Sequence, residues 1–110
     1  MRQISVGNNL TPNVKTTVYT VPTGYYAVWN FLYAINHTGT NKNLDVYWYD
    51  KSVNTEIVIM ATYQLSSDQF VTTLDKNREI VLEEGDEVRI LAETGSQMSS
   101  VCTFDLYRKP

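Results

Sequence analysis

The chain has 110 residues, 43% of them apolar, with a formal net charge of -3. That length predicts one domain with a small two-layer core. The acidic balance argues against a nucleic-acid binder, since the only basic cluster is Arg108-Lys109 at the end of the chain, and a single cysteine excludes an intrachain disulfide. The apolar class is rich in strand-favouring residues, with 8 Tyr and 2 Trp beside many Val, Ile and Thr. No segment carries a sustained helical stripe, so the expected class is all-β.

Residues 1–13 are polar, with two Asn-rich steps and Pro12. They read as an extended arm or a short edge strand ahead of a sandwich domain over residues 14–110. The opening residues hold no apolar run of signal-peptide length, and no stretch is long enough to span a membrane. The expectation is a soluble intracellular product that engages neither membrane nor nucleic acid. Val14–Val21 is the first confident strand. Pro22-Thr23-Gly24 then forms a turn, with Pro pre-setting φ and Gly free to take a positive one.

Tyr25–Asn36 follows as a long strand of unusual character. Strict alternation puts Tyr25, Ala27, Trp29, Phe31, Tyr33 and Ile35 on one face, and Tyr26, Val28, Asn30, Leu32, Ala34 and Asn36 on the other. A strand with one wet face should alternate apolar and polar, whereas this one is largely apolar on both. One side therefore requires cover from the rest of the domain or from another subunit. Trp29, Phe31 and Tyr33 are candidate interface residues on that ground.

His37–Asn43 is a polar loop, and Leu44–Asp50 alternates Leu44, Val46 and Trp48 against Asp45, Tyr47 and Tyr49. Tyr47 and Tyr49 project together, as flat aromatics do when they stack on sugars or anchor a protein interface. Further strands are expected over Glu56–Tyr63, Gln69–Leu74, Glu79–Leu82, Glu87–Thr94 and Ser100–Tyr107. About eight strands at short spacing predict a single antiparallel β-sandwich, with a jelly roll as one arrangement that fits.

Little in the chain points to chemistry. The one His and one Cys have no second ligand, so neither a metal nor another cofactor is expected. Cys102, which shares one face of its strand with Phe104 and Leu106 by alternation, reads as a buried inert thiol. Glu83, Glu84, Asp86 and Glu87 lack the ligand ladder of a calcium loop and read as a hydrophilic hairpin turn. No phosphate-binding glycine loop and no nucleophile elbow is present, so no enzyme is expected. Asn9-Leu10-Thr11 and Asn36-His37-Thr38 match a glycosylation acceptor and are read as accidental.

Three elements carry a family resemblance. Thr20-Val21-Pro22-Thr23-Gly24 ends a strand in a TVP-x-G turn. Asn36-His37-Thr38-Gly39 ends the long strand in N-x-x-G. Leu82-Glu83-Glu84-Gly85-Asp86-Glu87-Val88 is an L-x-x-GD-x-V hairpin ahead of the last two strands. Over about Val14 to Tyr107 the chain resembles small β-sandwich structural proteins of tailed bacteriophages. The resemblance implies a virion component: a capsid decoration (cement) protein, or a piece of the neck, tail or fibre. It implies the major capsid protein or other virion proteins as partners and a homo-oligomer, with a trimer suited to a capsid's local threefold positions. A carbohydrate-binding module built on Tyr47 and Tyr49, with a glycan as partner, is the alternative of another class.

Overall fold

Apolar residues at every second position give strands with a buried face, and a computed structural model describing residues 1–110 shows nine of them. They are β1 (Arg2–Leu10), β2 (Thr16–Thr20), β3 (Tyr25–Asn36), β4 (Lys42–Asp50), β5 (Thr55–Leu65), β6 (Phe70–Thr73), β7 (Ile80–Leu82), β8 (Glu87–Ala92) and β9 (Met98–Arg108). A single 3-10 turn, Lys51–Val53, joins β4 to β5. All pairing is antiparallel. One sheet runs β1-β9-β3, with β6 and β7 sharing the far side of β3, and the other runs β2-β8-β4-β5. The chain crosses between layers after β1, β2, β3, β5, β7 and β8, which is the winding of a jelly roll.

Each strand expected from the sequence is present, with ends within two residues of those expected. The ninth is β1. The segment read as an arm or short edge strand is a nine-residue edge strand, paired with β9 from Arg2↔Leu106 to Leu10↔Met98 without a register shift.

The strict alternation expected for β3 does not hold. A bulge lies between Trp29, opposite Phe104, and Phe31, opposite Thr103. Asn30 is the extra residue, which bends the strand and resets its two faces. Its Nδ2 donates to Asp105 Oδ2 at 3.0 Å. Ala27, Trp29, Leu32, Ala34 and Asn36 therefore point inward and are fully buried, while Val28, Phe31, Tyr33 and Ile35 point outward and are only half-buried. Trp29 and Phe31, grouped together by strict alternation, lie on opposite faces.

The core between the layers is built on Trp29, Leu32, Leu44, Val46, Leu82, Ile90 and Phe104. Trp29 and Tyr19 both stack on Phe104, at centroid distances of 6.3 and 4.2 Å. Two buried polar side chains fasten the ends of the sandwich. Asn36 Nδ2 donates to the carbonyls of Thr40 and Leu65 at 2.9 Å, and its Oδ1 accepts from Thr38 N at 2.9 Å. Asp86, 1% exposed, accepts from Trp48 Nε1 at 3.1 Å, Lys51 N at 3.0 Å and Glu83 N at 2.9 Å. Gly85 before it takes φ of +84° to close that turn.

Candidate interaction surface

Cross-strand partners share a face of a sheet, so the registers give the outer face of the five-stranded sheet row by row. The first row is Asn9, Ser99, Ile35 and Phe70, crossing β1, β9, β3 and β6. The second is Gly7, Val101, Tyr33 and Thr72, and the third Ser5, Thr103 and Phe31. The fourth is Gln3, Asp105 and Val28, continued by Val81 on β7. Each row begins with a small or polar residue on β1 and becomes apolar or aromatic at β3. Phe70 is 59% exposed and Val81 48%. Tyr33 stacks on Phe70 at 5.6 Å, making a ridge along β3 and β6. No other layer of the chain covers it.

Beside the ridge lies a shallow trough along β1 and β9 whose polar groups pair with one another. Ser5 Oγ and Thr103 Oγ1 are 2.9 Å apart, and Ser99 Oγ donates to Asn9 Oδ1 at 2.7 Å. Asp105, the one carboxylate in these rows, also accepts from Gln3 Nε2 at 3.3 Å. No Lys or Arg stands in the four rows.

The outer face of the four-stranded sheet carries ion pairs, with exposed Val58 on β5 beside Tyr47. Glu56 Oε1 pairs with Lys15 Nζ at 2.7 Å and Glu56 Oε2 with Arg89 at 3.0 Å, while Arg89 Nε reaches Glu87 at 3.0 Å. The hydrogen bond from Lys15 is the main reason that the Glu56 carboxyl is held below its ordinary range, with Arg89 adding to it. Tyr47 and Tyr49 lie in this network. Lys15 Nζ sits 4.1 Å from the Tyr47 ring centroid and the Arg89 guanidinium 4.1 Å from that of Tyr49. Burial, and then the Asp45 carboxylate, push the Tyr47 hydroxyl up. A cation thus occupies each ring that sequence reading offered as a platform.

The structure divides the five expected interface residues. Phe31 and Tyr33 stand on the outer face of the five-stranded sheet. Tyr47 and Tyr49 stand on the other outer face, under cations. Trp29, 0% exposed, is a core residue whose Nε1 donates to Phe31 O at 3.0 Å, so it is withdrawn as an interface residue. Phe70 and Val81 were missed because they sit on short strands whose placement beside β3 is a matter of topology. The signal available was Asn30, a lone amide inside an apolar strand.

Elsewhere, groups of ionisable residues diverge. His37 Nδ1 lies 3.0 Å from Asp68, both well exposed. His37 lines a cleft of about 490 Å³ with Ser96 and Ser99, but Ser96 Oγ has no hydrogen-bond partner, so no nucleophile–base relay is formed. The acidic turn splits: Asp86 turns inward, Glu84 accepts from Gly24 N, and Glu87 pairs with Arg89. No three His, Cys, Asp or Glu side chains converge. Asn36, buried with Nδ2 engaged, is closed to glycosylation. Burial pushes the Cys102 thiol up to about 12.

No family model matches the sequence, and no curated protein matches it. Among solved structures the fold is similar to a subunit of Bacillus endospore appendages, described as a novel family of disulfide-linked pili. That match has a TM-score of 0.57 at 14% identity, covering 99% of this chain and 87% of the other. The globular domain of the zebrafish complement 1qA protein matches over 97% of this chain and 98% of its own, with a TM-score of 0.48 and 16% identity. At such identities the pilus likeness shows a shared fold.

Proposed function

We propose that this chain is a non-enzymatic structural subunit of a virion, of the capsid-decoration kind that the sequence resemblance implies, and that it assembles through the outer face of its five-stranded sheet. The observation that carries this reading is that face: a ridge of exposed Phe70 and Val81 with half-buried Phe31 and Tyr33, without a cation, on a chain whose other outer face is laced with ion pairs. An exposed apolar patch rimmed by polar residues is the mark of a protein-binding surface. The pilus likeness supports the coarser part, since a sandwich of this winding serves there as an assembling subunit. The linkage differs: the one cysteine of these residues is 1% exposed, which argues against a disulfide link through it.

The test uses capsid shells that lack the protein. Added subunit should co-sediment with them and raise the temperature at which they rupture, because binding only to the assembled state stabilises it by mass action. Phe70→Lys with Val81→Lys should abolish both effects while leaving the subunit folded. Wild-type protein that binds no shell, or the double variant binding as well as wild type, refutes the reading.

A further inference from the structure

We infer that a second copy of the chain covers this face, related to the first by a two-fold axis that runs along the strands between β9 and β3. The inference rests on the proposal that the face is an assembly surface, and it names the occupant.

The argument comes from the rows. A half-turn about that axis reverses the strand order and keeps each row at its own height. Gly7, which has no side chain, then faces Thr72 of the second copy in the row Gly7, Val101, Tyr33, Thr72. In the same way Val101 faces Tyr33, Thr103 faces Phe31, and Asn9 faces Phe70. In the first three rows the smaller residue on one side meets the larger one on the other, as a self-complementary two-fold contact requires; the fourth, which sets Gln3 against Val81 and Asp105 against Val28, forms the polar rim. An axis perpendicular to the strands would set ridge on ridge and hold the two troughs apart. Over the first three rows this polar strip dries at low cost, because Ser5 pairs with Thr103 and Asn9 with Ser99 inside one copy; the Asp105 carboxylate, held by Gln3 and Asn30 and by no cation, lies at the rim within reach of water.

The area is adequate. β1, β9, β3, β6 and β7 hold 9, 11, 12, 4 and 3 residues; at about 3.3 Å per residue and about 4.8 Å between strands, the face covers roughly 600 Å². Two copies would bury roughly 1,200 Å² together, the lower end of the range for stable complexes.

The experiment is cross-linking of Gly7→Cys and Thr72→Cys with a short bis-maleimide, because packed sheets lie about 10 Å apart, beyond the ~7 Å that a disulfide spans between Cα atoms. A Cβ at Gly7 would lie 3.9 Å from Ser100 O, an ordinary contact, and buried Cys102 stays silent. With that reagent each single variant should remain uncrosslinked. An equal mixture of the two should give a covalent heterodimer, and the double variant a covalent dimer as its end product. Cross-linking of Thr72→Cys alone, a ladder above the dimer, a trimer by light scattering, or no covalent product overturns the arrangement. A wild type that stays monomeric on concentration overturns the second copy as occupant, and shell binding, measured separately, then decides the assembly reading.

Discussion

Trp29→Ala and Phe31→Ala should differ sharply, although one residue separates them and strict alternation puts both on one face. Trp29 is 0% exposed and stacks on Phe104 at 6.3 Å. Its truncation removes a large ring from between two close-packed layers and should cost about 3–5 kcal/mol. Against a total stability of about 5–15 kcal/mol for a domain, that is a large share, and it corresponds to a melting point lower by about 15–25 °C at this size. Phe31 points outward and is half-buried, and its truncation should cost under about 1.5 kcal/mol. Urea denaturation at low protein concentration, followed by far-ultraviolet circular dichroism, measures both, with dilution keeping association out of the comparison. Equal losses for the two variants would refute the bulge at Asn30 and with it the composition of the outer face.

Four further outcomes follow from the same structure. Deleting Asn30 should leave Trp29 inward and Phe31 outward on a regular strand, so the variant should fold, less stable by about 1.5–3 kcal/mol for the lost bond to Asp105; a variant that fails to fold in urea titration refutes this. Asp86→Ala strips the partner from Trp48 Nε1 and from two backbone amides, and should cost about 3–5 kcal/mol by calorimetry, a neutral result counting against the latch. Cys102, with its thiol pushed up to about 12, should be inert to a thiol reagent at pH 8 and titrate as one group in denaturant; fast labelling of the native protein would contradict its burial. Because the Glu56 carboxyl is held low in the folded state, its contribution is present at neutral pH and is lost as pH falls through its folded pKa. Glu56→Gln should therefore flatten the acid limb of a stability profile, and an unchanged limb would show the network to be idle.

The strands were legible because their signals are local. Pro22 and Gly24, the Gly85 turn and the period-two pattern of Val88, Ile90 and Ala92 each act over a few residues. The order of the strands was not, because pairing of β1 with β9, across the length of the chain, leaves no mark in either segment alone. The face of Phe31 was lost to one inserted residue, since a bulge at Asn30 moves each later side chain of β3 to the other side. Tyr47 and Tyr49 were legible as a pair on one face, but Lys15 and Arg89, which cap them, come from a preceding segment and from β8.

The two outer faces differ in what drying would cost them. On the four-stranded sheet, Lys15, Glu56, Arg89 and Glu87 keep 23–40% of their side-chain exposure while they pair, and a partner laid over them would have to replace that remaining water for four charges. On the five-stranded sheet, the polar half holds neutral groups that already hydrogen-bond laterally, with a single carboxylate fixed between two amides. A partner there removes water from groups whose bonds survive its removal, and it gains roughly 25 cal/mol for each Å² of the ridge it covers. The asymmetry therefore sets a direction. In the assembly proposed above, the ion-paired face stays toward solvent, and the face that strict alternation would have divided wrongly between core and surface makes the contact.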